Sequence, residues 1–226
     1  MNPRTADSLS QALKAATADL HRLAERSAFM RGLLTGQLTA ADYLDWFASL
    51  HCIYQPLERE LPRHAALTGL TKLVDGGLAR TAALEADMRA CEHALPTGEA
   101  FSPCPPALDY AAHLKLLSEE QPLLLAAHVY VRYFGDLHGG RLIGQALGRA
   151  AALPAGAGAF SEYSQEVEVA DNIVALKHAL DALGHRHPEM IGLCAAEGAS
   201  AFARHIELFA ALEERRQARL IRSSTH

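Results

Sequence analysis

Residues Tyr130 to Gly140 read Tyr-Val-Arg-Tyr-Phe-Gly-Asp-Leu-His-Gly-Gly. Helical pattern flanks them, with Leu123-Leu124-Leu125-Ala126-Ala127-His128-Val129 upstream and Leu142-Ile143-Gly144-Gln145-Ala146-Leu147 downstream. A glycine inside a helix costs about 1 kcal/mol relative to alanine, so Gly135, Gly139 and Gly140 together give up about 3 kcal/mol. Something must offset that loss. Gly135 and Gly139 share one helical face, with Gly140 beside them. A face without side chains lets the backbone come close to a flat partner. Asp136 borders the same strip. The pattern therefore fits a pocket for a planar ligand with one polar group held over it. It equally fits tight packing of a neighbouring helix, with Asp136 capping a local break.

The rest of the chain narrows the choice. With 226 residues, half of them hydrophobic and rich in alanine and leucine, the chain can bury a substantial helical core. A net charge of −5 argues against a general nucleic-acid role. Cys52, Cys91, Cys104 and Cys194 show no C-x-x-C spacing, so neither a zinc site nor a disulfide framework is expected. Reduced thiols, an N-terminus without an apolar signal segment and no apolar run near the ~20 residues of a bilayer span together suggest a cytoplasmic protein.

Ser8-Leu9-Ser10-Gln11 is a capping-box pattern, and Leu9, Leu13, Ala16, Leu20 and Leu23 continue it as a helix to about Arg26. A short piece follows to Leu34. Thr39 with Asp42 starts a long helix, interrupted or kinked at Pro56. Helices are expected over Leu78 to Ala94, Ala107 to Glu120, Glu162 to Leu183 and Glu189 to Ala218, with Pro122 opening the glycine-interrupted one. Leu95 to Pro106 and Pro154 to Gly158 read as loops. No strand pattern competes. The expectation is one all-α domain over 1–226, with 1–7 and 219–226 as flexible tails.

The Tyr-x-Arg-Tyr and Gly-Asp-Leu-x-Gly-Gly elements resemble the distal-helix signature of the haem oxygenase family. Leu13-Lys14-Ala15-Ala16-Thr17-Ala18-Asp19-Leu20-His21, continued by Glu25, Phe29 and Met30, resembles that family's proximal helix. Ala48-Ser49-Leu50 with Ile53-Tyr54 and Leu57-Glu58 resembles its second helix. Ala201-Phe202 with Ile206-Glu207-Leu208-Phe209 resembles its last. The likeness spans roughly residues 9 to 215. It implies a single helical domain that holds haem b between the first helix and a glycine-bent distal helix. It also implies that haem is both cofactor and substrate, converted with O2 and external electrons to biliverdin, CO and ferrous iron.

The resemblance assigns roles by position. His21 is the iron ligand, with Glu25 one turn on to orient its ring. Asp136 orders water that delivers protons, with Arg132 and Tyr54 in the same network. Gly135, Gly139 and Gly140 admit the haem plane, while Met30 and Phe202 are further haem contacts. Lys14 and Tyr130 match propionate contacts. Ala18 stands where a second lysine is usual. The usual arginine of the penultimate helix falls near Leu180, which leaves Lys177 as the nearest candidate. His138 replaces a small residue between Leu137 and Gly139. The family also implies an electron donor such as a ferredoxin or flavoprotein reductase, and a biliverdin acceptor such as a phytochrome. A monomer is the default.

Other classes fit less well. A haem carrier or sensor needs His21 but no Asp136. A di-iron oxidase would use Glu-x-x-His pairs, and the chain contains none. A thiamin-degrading enzyme of related architecture needs a reactive cysteine, and no cysteine has a nucleophile context. A helical scaffold leaves the glycine cost unexplained.

Overall fold

The first helix begins where its capping pattern places it. Ser8 is extended, its hydroxyl accepts from the Gln11 amide, and α1 runs Leu9–Glu25. The structure, a computed structural model, describes residues 8–70, 77–95, 101–163 and 168–224. The tail expected over 1–7 lies outside them. Ser27 caps α2, Ala28–Leu34. Thr39 and Asp42 bond reciprocally at the head of α3, Ala40–Glu60. The expected interruption at Pro56 does not occur. Proline costs α3 one backbone bond, but Leu50, Ile53, Tyr54 and Leu57 bury that stretch and hold it helical.

After the short α4 (Ala65–Thr68) come α5, Thr81–Ala94, and α6, Pro105–Glu120. Pro105 and Pro106 open α6 rather than ending the loop before it, because a missing N–H costs nothing in a first turn. Pro122–Leu124 form a 3-10 turn, followed by α7 (Leu125–Val129), a π turn (Tyr130–Phe134) and α8 (Gly135–Leu147). The chain closes with α9, Val169–Arg186, and α10, Ile191–Ser223.

The helix expected from Leu78 begins at Thr81, and two boundaries differ further from the sequence reading. The helix expected from Glu162 starts at Val169. Ala159–Ser161 instead form a 3-10 turn, Glu162 is extended, and Arg80 donates to the carbonyls of Phe160 and Glu162 at 3.3 and 2.9 Å. Those bonds hold the backbone out of helical register. The tail expected from 219 onward is helical through Ser223. Arg219 anchors it, donating to Asp42 at 2.7 Å and to Asp45, two buried acids of α3.

No strand occurs among the described residues, as the composition suggested. α10 runs through the centre, touching α1, α2, α3, α6 and α7, while α3 packs on α5 and α6. α1 lies close along α10: a Cβ at Gly198 would sit 2.8 Å from Leu13 Cδ2. The core gathers on α3, where Tyr43, Phe47, Ile53, Tyr54 and Leu57 are fully buried. This frame leaves the C-terminal end of α1 opposite the start of α8, with α10 as the floor between them. No described helix is long and apolar enough to cross a membrane.

Candidate active site

The glycine strip divides in two. Gly135 keeps helical backbone angles, and none of Gly135, Gly139 and Gly140 has positive φ. They are not hinges. The irregularity expected of them lies just upstream, in the π turn that widens the helix at Tyr130–Phe134. A Cβ on Gly135 or Gly139 would meet nothing within 4 Å, so both open onto empty space. A Cβ on Gly140 would lie 3.8 Å from the Tyr163 ring and 3.9 Å from the Ser161 carbonyl, and one on Gly144 would lie 3.2 Å from Ser161 Oγ. Gly140 thus faces the 161–163 segment and, unlike Gly135 and Gly139, does not line the cleft below. The two readings of the strip each hold for part of it.

The open face borders a cleft lined by His21, Met30, Arg132, Asp136, Phe202 and both open glycines. A second lobe shares His21, Val131, Gly135 and Phe202 with it and adds Lys14, Arg22, Tyr130 and His138. The first lobe is mostly apolar and the second carries cations at its rim. A flat, largely apolar group with acidic substituents fits that division.

On the distal wall, Asp136 is buried and bonded from two directions. The Tyr54 hydroxyl donates to its Oδ2, and Arg132 Nη2 lies 3.3 Å from Oδ1. Arg132 also donates to the Tyr54 hydroxyl, from Nε at 3.0 Å and Nη2 at 2.7 Å. Its remaining arm, Nη1, reaches His205 Nε2 at 2.9 Å. Burial raises the Asp136 carboxyl, and the Arg132 charge only partly offsets it. Burial pushes His205 well below the usual imidazole value, helped by the Arg132 charge, and its Nε2 accepts from Arg132. Tyr54 is not among the cleft-lining residues. It stands behind Asp136 as a positioning residue.

The proximal wall is looser. His21 is about half exposed, with its Nδ1 3.6 Å from Glu25 Oε1 and its ring edge-on to Phe202 at 5.6 Å. That arrangement leaves Nε2 as the nitrogen for a ligand. Lys14 and Tyr130 lie on the second lobe as expected. Lys177 is not brought there. Its ammonium pairs within α9 with Asp181 at 2.9 Å, and it is Asp181, accepting the Ser10 amide, that ties α9 to the start of α1. Leu180 is buried. His138 faces away from Asp136: its Nδ1 donates to the Phe134 carbonyl at 2.8 Å and its ring stacks on Phe134 at 5.2 Å.

Sequence reasoning missed His205, Arg22 and Phe160. His205 had a signal: it lies between Phe202 and Phe209 at helical spacing, a polar residue in the apolar stripe facing the cleft. Phe160 comes from a loop with no such pattern. It is held by Asp87, whose carboxylate accepts the Gly158, Ala159 and Phe160 amides, each at 2.8 Å.

A histidine-bearing helix facing an open glycine face, with a buried acid network beside that face, defines a helical haem-site protein. Comparison with known proteins places it further. The family model described as "Heme oxygenase" matches residues 7–211. Heme oxygenase 1 of Rattus norvegicus is 33% identical over 91% of this chain and 71% of its own length. The heme oxygenase structure from Leptospira interrogans superposes with a TM-score of 0.79 at 31% identity, covering 89% of this chain and 98% of that one. Heme oxygenase-2 from Synechocystis sp. PCC 6803, solved with heme and NO, superposes at 0.78 with 28% identity, over 93% of this chain and 87% of that one. The chain belongs to the haem oxygenase family, enzymes that degrade haem.

Proposed function

We propose that this chain binds haem b through His21 and cleaves it with O2 and external electrons to biliverdin, CO and ferrous iron. The observation that carries this reading is the buried Tyr54–Arg132–Asp136 network at the open Gly135–Gly139 face, across from His21. A storage site needs a ligand and a cavity, not a buried acid with bonding capacity to spare. Bound haem supplies the redox-active iron and the ring that is consumed.

The chain's own groups divide the remaining work. His21 Nε2 would hold the haem iron, with Glu25 steadying Nδ1 on the outer side of the ring. Gly135 and Gly139 let the distal backbone approach the ring, while Met30 and Phe202 give it apolar contact. Lys14, with Tyr130 beside it, meets the carboxylates at the rim. A carboxylate offers about four lone-pair sites. Tyr54 and Arg132 occupy only part of that capacity, so Asp136 can also hold water and pass a proton from it. Arg132, fixed by Tyr54 and His205, keeps the Asp136 charge tolerable in an apolar wall.

Electrons come from a separate donor of the ferredoxin or flavoprotein-reductase kind. Released biliverdin goes to an acceptor such as a phytochrome. The protein works as a cytoplasmic monomer. The test is an absorbance time course: one equivalent of haem, then ascorbate or a reductase system in air with catalase. The Soret band should decay while a biliverdin band grows. A Soret complex that survives reductant and air would make the protein a haem carrier and overturn the proposal.

A further inference from the structure

Behind the distal wall lies a second polar cluster that the proposed reaction does not use. His113 on α6, His128 on α7 and Glu197 on α10 converge on one point. The carboxylate Oε1 of Glu197 lies 2.7 Å from His113 Nε2 and 3.0 Å from His128 Nε2. All three ligating atoms fall within 4.8 Å of one another. His128 is fully buried, and its other nitrogen, Nδ1, is 2.8 Å from the Tyr110 hydroxyl. That contact fixes the ring, and Nε2 lies buried beside Glu197 without a hydrogen bond of its own.

We infer that His113 Nε2, His128 Nε2 and the Glu197 carboxylate form a binding site for a divalent transition-metal cation. Two imidazoles and one carboxylate suit zinc, ferrous iron and cobalt rather than magnesium or calcium, which prefer all-oxygen shells. The hydroxyl partner on Nδ1 is the outer contact that metal-bound imidazoles ordinarily carry. Ligand bonds of about 2.0–2.2 Å in tetrahedral array put donor atoms roughly 3.3 Å apart. The two contacts to Glu197 need an opening of about half an ångström, and the two imidazole nitrogens, at most 4.8 Å apart, need to close on each other by small side-chain rotations. The three donors stand on three different helices packed together, so the site is preformed in the fold. Access exists: the His113 and Glu197 side chains retain 19% and 13% exposure, which leaves a side for entry and for a solvent ligand. Arg204, whose guanidinium lies 6.0 Å from the Tyr110 ring, opposes a cation there and sets the affinity below that of a closed all-protein cage.

The test uses haem-free protein carrying His21→Ala, which removes the exposed His21–Glu25 pair as a competing site. Zn2+ and Co2+ are titrated in turn, with Mg2+ as the control. One equivalent of each transition metal should bind, Co2+ with visible d–d bands of low coordination number, and Mg2+ should not. Adding Glu197→Gln or His113→Asn should weaken that equivalent at least a hundredfold while circular dichroism stays unchanged. Unaltered affinity in both variants would overturn the inference. Should the variants unfold, X-ray absorption on the zinc-loaded parent decides: two imidazoles with a carboxylate support it, and any other shell sinks it. Because no haem is present, the outcome is independent of whether the chain cleaves haem.

Discussion

The two walls of the cleft are built on opposite plans. The distal wall is finished before any ligand arrives: Asp136 is buried, Arg132 spends its guanidinium on Tyr54, Asp136 and His205, and Tyr54 is fully enclosed. The proximal wall is open: His21 and Glu25 are half exposed or more, and 3.6 Å separates them. Pre-organised polar groups in an apolar site act on a reacting centre without first reorganising. A ligand-binding imidazole, by contrast, must be reachable and gains its order from the ligand. On the proposed reading, the wall that performs chemistry is bonded in place and the wall that captures haem is not.

The most severe way to break that contrast is at His21. His21→Ala should abolish the normal haem spectrum and lower turnover more than about a hundredfold, beyond the usual cost of losing an outer contact to a ligand. Stability of the haem-free protein should move by less than about 0.5 kcal/mol, because the side chain is half exposed and weakly held. Haem titration and thermal melts read both. Turnover at the parent rate would remove His21 as the ligand.

Asp136→Ala should invert that pattern. Haem should still bind, while biliverdin formation falls about 10²–10³-fold, the usual cost of removing one pre-organised polar group. The haem-free fold should lose about 3 kcal/mol, since Arg132 remains buried with one partner fewer. Full biliverdin yield in this variant would end the proton-delivery role of Asp136.

These residues were the legible part of the site because their spacing is local. Arg132, Asp136 and the glycines lie within one short segment, and His21 sits at a fixed place on the first helix. What the sequence hid arises from contacts between distant segments. His205 meets Arg132 from a residue separation of 73, and nothing in either segment announces the other. Gly140 looked like Gly139 because their difference lies in the loop behind them, where Arg80 and Asp87 fix the 158–162 backbone. The C-terminal end read as a frayed tail because its charges look solvated. In the fold Arg219 finds two buried acids from the other end of the chain. Helix patterns carried the architecture; long-range pairing decided the boundaries.

The divided glycine strip gives a finer probe. Gly139→Leu should place its side chain in empty cleft space, weaken haem at least tenfold and leave stability level or slightly raised, since glycine costs a helix about 1 kcal/mol. Gly140→Leu should press on Tyr163 and Ser161, cost about 1–3 kcal/mol of stability through overpacking and weaken haem less. Equal effects on haem from both would restore a single ligand-facing strip. Affinity and melting of the two variants, measured side by side, settle it.

The smallest effect tests whether the distal wall is held together by a neutral histidine. Burial lowers the His205 imidazole well below its ordinary value, and burial lowers His128 as well. Each is neutral when folded and takes up a proton when unfolded as pH drops below about 6.5. The unfolded state then binds more protons, so stability is full above that pH and falls as pH decreases, by about 1.4 kcal/mol per pH unit for each such group. The lowered Glu197 carboxyl acts in the same direction, but only below the usual glutamate range. Burial raises Asp136 and Asp87, which pulls the other way. The contribution of His205 is therefore isolated by difference. With chelator present, denaturant titrations from pH 7 to 5 should show a shallower fall in His205→Asn than in the parent, by up to one proton. Identical slopes would mean that His205 is charged in the fold. Its Nε2 could then not accept from Arg132, and the distal wall would be held by Tyr54 and Asp136 alone.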